Sequence, residues 1–188
     1  MQRVLKHIED QDLTGSEMTT LLAGVASMKL YNTLSGATPS SFFEPHAAVA
    51  LLFPVESTSS GHWIGMWKNE ATKTVHHFDS YGLTPQQEDQ YSSQPEVQER
   101  LLQQFYQSCM REGYRVLFNQ TRYQQMDSGN NTCGRHVVCR LRLSYLADMQ
   151  YAKLMTHDAM TPDNIVTLMT FLPLNEDSAD KAELRTVL

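Results

Sequence analysis

The chain has 188 residues, a formal net charge of −6, and 41% hydrophobic against 19% charged residues. That length suits one domain (1–188) with a full hydrophobic core, and the balance is ordinary for a soluble globular protein. The negative charge offers no general attraction for nucleic acid and disfavours chemistry that needs a long polyanionic cofactor.

No apolar run approaches the length of a membrane span, and Met1-Gln2-Arg3-Val4-Leu5-Lys6-His7 lacks the apolar stretch of a signal peptide. Three cysteines argue against a disulfide framework and for a reducing compartment, so the expected location is cytoplasmic.

In chain order, residues 1–24 read as helical and polar. A cap lies within Leu13-Thr14-Gly15-Ser16, and Met18, Leu21 and Leu22 form the apolar stripe of the segment after it. Residues 31–47 hold Gly36, Pro39 and Pro45 and read as loop with a short helix. Ala48 to Phe53 is an apolar run ended by Pro54, a buried strand. A Ser/Thr/Gly-rich loop from Glu56 to Gly61 leads to a second strand, His62 to Trp67, with a hairpin connection over Lys68–Ala71. The third strand, Thr74 to Asp79, stops at Ser80-Tyr81-Gly82, and 83–95 reads as an exposed connection.

Glu96 to Arg111 is amphipathic, with Val97, Leu101, Phe105 and Cys109 four residues apart and Gly113 as C-cap. Cys109 on that face reads as core. Tyr114 to Tyr123 reads as a fourth strand, followed by a polar loop. From Cys133 the pattern turns helical to about Ala147, with Val137, Val138, Leu141 and Tyr145 on one face and Thr132 as N-cap. A last helix, Pro162 to Phe171, is opened by Thr161, and the tail from Glu176 onward is polar and frayed. The elements predict an α+β domain with a central, mostly antiparallel or mixed sheet flanked by helices. An N-terminal helical segment (about 1–45) precedes a core of about 46–172.

Cys133 at the first position of a helix is where chemistry is expected. Free amides and the macrodipole at a helix N-terminus favour thiolate over thiol, and the thiolate is the nucleophile. Such a cysteine needs a base, usually His, and that His needs an acceptor to fix its tautomer. Seven histidines compete. His76 and His77 lie inside a strand, one facing the core and one the opposite side. His136 shares a rigid helix with Cys133 and reaches a substrate poorly. His62 is the better base, with Asp79 on the neighbouring strand able to meet it across the ladder. The Cys133 amide is one oxyanion donor, and a glutamine before the loop is the natural second.

Taken singly, each residue has a plainer reading: Cys133 as a small core residue, His62 as a satisfied surface histidine, Asp79 as a turn residue. Their joint occurrence, in order and at element ends, favours a site. Cys133-x2-His136-x2-Cys139 lacks a zinc-knuckle spacing and lies in one helix, so no metal or other cofactor is expected. Arg135, Arg140 and Arg142 read as a solvated or ion-paired face.

Gly61-His62-Trp63, His77-Phe78-Asp79-Ser80-Tyr81-Gly82, Tyr123-Gln124 and Thr132-Cys133-Gly134-Arg135-His136 together resemble the adenain-like cysteine peptidases. These include the adenovirus maturation protease and the ubiquitin-like-protein (SUMO) proteases; the motifs are closest to the viral members. The resemblance spans roughly residues 45–146. It implies the adenain-like fold, His62 as general base, Asp79 as its orienter, Cys133 as nucleophile, a Gln as oxyanion donor, and Trp63 beside the substrate channel. Gln124 is favoured as donor by the Tyr-Gln pair; Gln125, which mimics the second Gln of the SUMO-protease pair, is the alternative.

The implied substrates are proteins cut next to small residues, often Gly: viral precursor proteins or ubiquitin-like modifier conjugates. The implied setting is the host cytoplasm or the virion, and the involvement of an activating peptide stays open. Two other readings use the same residues. One is a catalytically silent module that binds ubiquitin-like proteins; the other is a Cys-His-Asp acyltransferase, for which no basic phosphate-binding cluster is present.

Overall fold

The computed structural model describes residues 2–57, 60–88, 90, 92, 100–125 and 130–174. It is α+β, with a five-stranded mixed sheet flanked by helices. The strands, β1 (Ser27–Leu30), β2 (Ala48–Ser57), β3 (Ser60–Asn69), β4 (Thr74–Phe78) and β5 (Arg115–Phe118), lie side by side in sequence order. The two central pairings are antiparallel and the two outer ones, β1 with β2 and β4 with β5, are parallel. β1 is not legible in the sequence, because Ser27-Met28-Lys29-Leu30 is short and none of its residues is fully buried.

The helices are α1 (Gln2–Glu9), α2 (Gly15–Leu22), α3 (Pro39–Phe42), α4 (Pro85–Glu88), α5 (Leu101–Arg111), α6 (Cys133–Arg142), α7 (Asp148–Leu154) and α8 (Pro162–Leu174). The expected N-terminal helix is thus two helices. Thr14 starts the second through a capping box: its hydroxyl accepts the Glu17 N–H at 3.2 Å, and the Glu17 carboxylate accepts the Thr14 N–H at 2.8 Å. Gly113 follows α5 at φ 85°, the conformation a C-terminal glycine supplies. The predicted start of that helix at Glu96 and the tail from Glu176 lie outside the described residues. None of the described helices is long and apolar enough to cross a membrane.

Alternation along the central strands divides the core into two layers. Ala48 and Ala50 of β2 face one layer, while Val49, Leu51 and Phe53 face the other. The first layer holds Met18 and Leu22 of α2, Val137 and Leu141 of α6, and Tyr151 of α7. The second holds Leu102, Phe105 and Cys109 of α5 with Ile64 and Met66 of β3. Each fully buried Val, Leu or Phe side chain stabilises the fold by about 1.5–3 kcal/mol. Gly65 sets the spacing of α6 on β3. A Cβ there would lie 3.4 Å from Leu141 Cδ2 and 3.5 Å from Val137 Cγ1, in ordinary van der Waals contact, so the helix already packs closely on the strand.

Several expected boundaries differ. β2 does not stop at Pro54 but runs to Ser57, with a register irregularity between the two, the kind of place where a residue without an N–H is tolerated. His62 therefore lies inside β3, opposite Phe53, and does not open the strand. Lys68 and Asn69 belong to β3 rather than to the hairpin connection. The fourth predicted strand shrinks to β5, because from Asn119 onward side-chain bonds replace the ladder. Asn119 accepts the Asp79 N–H at 2.8 Å and donates to the Asp79 carbonyl at 2.7 Å.

The helix at Cys133 ends at Arg142, not near Ala147. The Arg140 guanidinium reaches forward to the carbonyls of Leu143 (3.0 Å) and Leu146 (3.3 Å) and to Asp148 (2.8 Å), which favours a turn there. Tyr145, expected on the apolar face, is consequently 77% exposed. The expected solvated or ion-paired arginine face is met only in that Arg140 is ion-paired, to Asp148. Arg135 and Arg140 are buried; Arg140 lies 4.3 Å from the Trp67 ring and 4.8 Å from Tyr151, and Arg135 donates to Thr170 and to main-chain carbonyls. Arg142 is exposed and caps Leu21.

One glycine beside the site is dictated by backbone approach. A Cβ on Gly61 would run into the Phe53 carbonyl oxygen and lie 2.9 Å from its carbon, and neither strand backbone can yield cheaply. Gly61→Ala is expected to destabilise the fold by about 1–3 kcal/mol. The check is the urea midpoint; an unchanged midpoint would show that the β2–β3 turn has slack.

Candidate active site

Asp79 follows the last residue of β4 and is fully buried. Its Oδ1 accepts the N–H groups of Tyr81 (2.6 Å) and Leu83 (3.3 Å), a turn in which the carboxylate stands in for a main-chain acceptor. Together with the Asn119 bonds to its main chain, this leaves Asp79 Oδ2 pointing at one target. That target is His62 Nε2, at 2.6 Å.

With Nε2 committed to Asp79, Nδ1 is the ring nitrogen left to face the Cys133 thiol. Burial alone would disfavour the imidazolium. The Asp79 bond and charge, with the neighbouring Cys133 sulfur, outweigh it, and the His62 pKa stands well above its ordinary value. Burial likewise works to raise the Asp79 pKa, but the His62 bond and charge hold it below the usual carboxylate value. The Tyr81 ring stacks on His62 at 5.0 Å and 25° and blocks ring rotation. Its phenol is pushed up to about 12 by burial and by the neighbouring Cys133 and Asp79 charges, so it stays neutral.

Cys133 is the first residue of α6 and is half-buried. Its amide is among the first four of the helix, which have no intrahelical acceptor. Thr132 does not cap it as expected. Its hydroxyl lies 2.5 Å from Asp163 Oδ1 and 2.8 Å from Asn130 Oδ1 and makes no bond to the first turn. Trp63 lies over that first turn: a Cβ on Gly134 would be 3.4 Å from Trp63 Cδ1 and 3.3 Å from Met18 Sδ. The other thiols, Cys109 and Cys139, are buried and each pushed up to about 12 by desolvation.

The two glutamines have different surroundings. Gln124 is buried; its Oε1 accepts the Ser80 hydroxyl at 2.6 Å and its Nε2 donates to the Asn130 carbonyl at 3.0 Å. The second N–H of that amide lies by the Tyr81 hydroxyl, whose ionisation it favours against burial. The Gln125 side chain is exposed, and its main-chain N–H goes to Asp163 Oδ2 at 3.1 Å.

The remaining histidines of interest are held elsewhere. His77 faces the opposite layer, between Tyr106 Oη (2.6 Å) and Glu88 Oε1 (3.0 Å), and His76 stacks on Trp67 at 4.5 Å. His136 Nε2 is turned to Asp163 Oδ1 at 2.9 Å, and Cys139 packs in the apolar layer.

The structure thus joins His62 to Asp79, brings the Cys133 sulfur near His62, and sets Trp63 against Gly134, the residue after Cys133. Sequence reasoning missed Ser80, Asn119, Asn130 and Asp163. Ser80 adjoins Asp79, and Asp163 stands in the first turn of a predicted helix, but neither position announces its distant partner. No family model matches this chain, and no curated protein matches it.

Proposed function

We propose that this chain is a cysteine peptidase on an adenain-like variant of the α+β fold. The observation that supports it most is a single imidazole hydrogen-bonded to a buried carboxylate and neighbouring the thiol at the start of α6. Cys133 Sγ attacks the scissile carbonyl carbon, and the oxyanion is received by the Cys133 amide and by the second N–H of Gln124, which turns to it from the Tyr81 hydroxyl. The C–N bond breaks as His62 gives its proton to the departing amine, leaving an acyl-enzyme. Water then gives a proton to His62 and adds to the acyl carbon, and the thiolate leaves. Asp79 holds the ring with Nδ1 toward sulfur and stabilises the imidazolium. The Trp63 ring over Gly134 narrows the approach to Cys133. This supports cleavage beside small residues; the substrate, a precursor protein or a ubiquitin-like modifier conjugate, and the setting, host cytoplasm or virion, rest on the motif resemblance.

Two measurements test the proposal. Iodoacetamide near neutral pH is expected to label Cys133 and spare Cys109 and Cys139, whose thiols are buried and protonated. Gly-containing peptides and modifier conjugates are expected to be cut by the wild-type chain but not by Cys133→Ala. Unselective labelling together with cleavage that survives Cys133→Ala refutes it.

A further inference from the structure

We infer that Asp163, on α8 and outside the His62–Asp79–Cys133 set, is a positioning residue that holds both oxyanion donors in place; this rests on the peptidase reading above. The two donors flank one loop. Gln124 immediately precedes Gln125, and Cys133 immediately follows Thr132. A single buried carboxylate grips both ends of that loop: Oδ2 accepts the Gln125 N–H at 3.1 Å and Oδ1 accepts the Thr132 hydroxyl at 2.5 Å. His136, one turn into α6, brings Nε2 to the same Oδ1 at 2.9 Å, so the helix that carries Cys133 is tied to the same point.

A second path runs to the amide itself. Gln124 Nε2 donates to the Asn130 carbonyl, and Asn130 Oδ1 lies 2.8 Å from the Thr132 hydroxyl bound to Asp163. Asp163, Thr132, Asn130 and His136 are given no bond to the reacting atoms. Their effect is to fix the spacing of the Gln124 N–H and the Cys133 N–H, which must meet one oxygen simultaneously. Three donors converge on this carboxylate. An asparagine of the same shape offers one acceptor oxygen, and its NH2 group cannot accept from whichever of those donors it faces.

The test separates positioning from folding and from thiol activation. Iodoacetamide alkylation of Cys133 needs the thiolate but no oxyanion donors, whereas acylation by 4-nitrophenyl acetate needs both. In Asp163→Asn, Cys133-dependent acylation is expected to fall about 10- to 100-fold while alkylation stays within about twofold of wild type. Thr132→Val removes one of the three bonds and is expected to show a smaller loss of the same kind. It also decides the matter if Asp163→Asn does not fold, as judged by its thermal transition.

Parallel loss of alkylation and acylation overturns the positioning role, as does acylation at the wild-type rate. A wild-type chain that is neither alkylated nor acylated at Cys133 overturns the peptidase reading itself, and the positioning role with it.

Discussion

His62→Ala is expected to lower kcat by roughly 10⁴- to 10⁶-fold, about as much as Cys133→Ala, and the double variant is expected to be no slower than either. The reason is that the two side chains act as one unit. Without a base the thiol is not delivered as a nucleophile, and without sulfur the base has nothing to activate. What turnover remains comes from binding and the oxyanion donors, which both variants keep. Additive losses in the double variant would mean that the two residues work independently.

Asp79→Asn extends the same argument to pH. The Asp79 bond and charge raise the His62 pKa, so removing the charge lowers it. The imidazolium then loses its proton at lower pH, and the alkaline limb of the rate profile shifts downward. The rate itself is expected to drop by up to about 10⁴-fold, because an amide also permits the wrong ring tautomer. An alkaline limb that stays in place would show that Asp79 does not set the ionisation of the ring.

Gln124→Ala is expected to lower kcat by about 10²–10³-fold, with Gln125→Ala close to wild type. Adjacent residues of an extended segment point to opposite sides, so only one glutamine can face Cys133. Gln124 is buried with its carbonyl oxygen fixed by Ser80 and one N–H spent on Asn130, so its second N–H is presented in a single direction. The Gln125 side chain is exposed. Iodoacetamide labelling is expected to be unchanged in both variants. The opposite ranking of the two variants would assign the oxyanion to the exposed residue and undo the role given to Gln124.

Much of this organisation was legible in the residues because it depends on local physics. The apolar run from Ala48, the alternation through Ile64 and Met66, and the helical spacing of Leu101, Phe105 and Cys109 each report which side of an element is buried. The capping signals at Thr14 and Gly113 lie within one turn of the helices they delimit. Reading failed where a distant partner overrides the local signal. Thr132 has the chemistry of a cap, yet its hydroxyl is drawn to Asp163, 31 residues on. Periodicity carries α6 past Arg142, yet the Arg140 guanidinium satisfies the carbonyls beyond it and the helix stops.

By itself, then, the sequence determined the α+β class, most of the element order, the cysteine at a helix start, and the hairpin that sets His62 near Asp79. All of these follow from spacings within an element or between adjacent strands. Only the tertiary structure decided that Nε2 of His62 meets Asp79, that Gln124 rather than Gln125 is buried, and that Asp163 holds the loop between Gln124 and Cys133. Those outcomes depend on contacts across long stretches of chain, 44 residues from Ser80 to Gln124 and 38 from Gln125 to Asp163. Cys133 illustrates the division: its place at the head of α6 is written in residues 132–141, but it neighbours His62 only because α6 packs on β3.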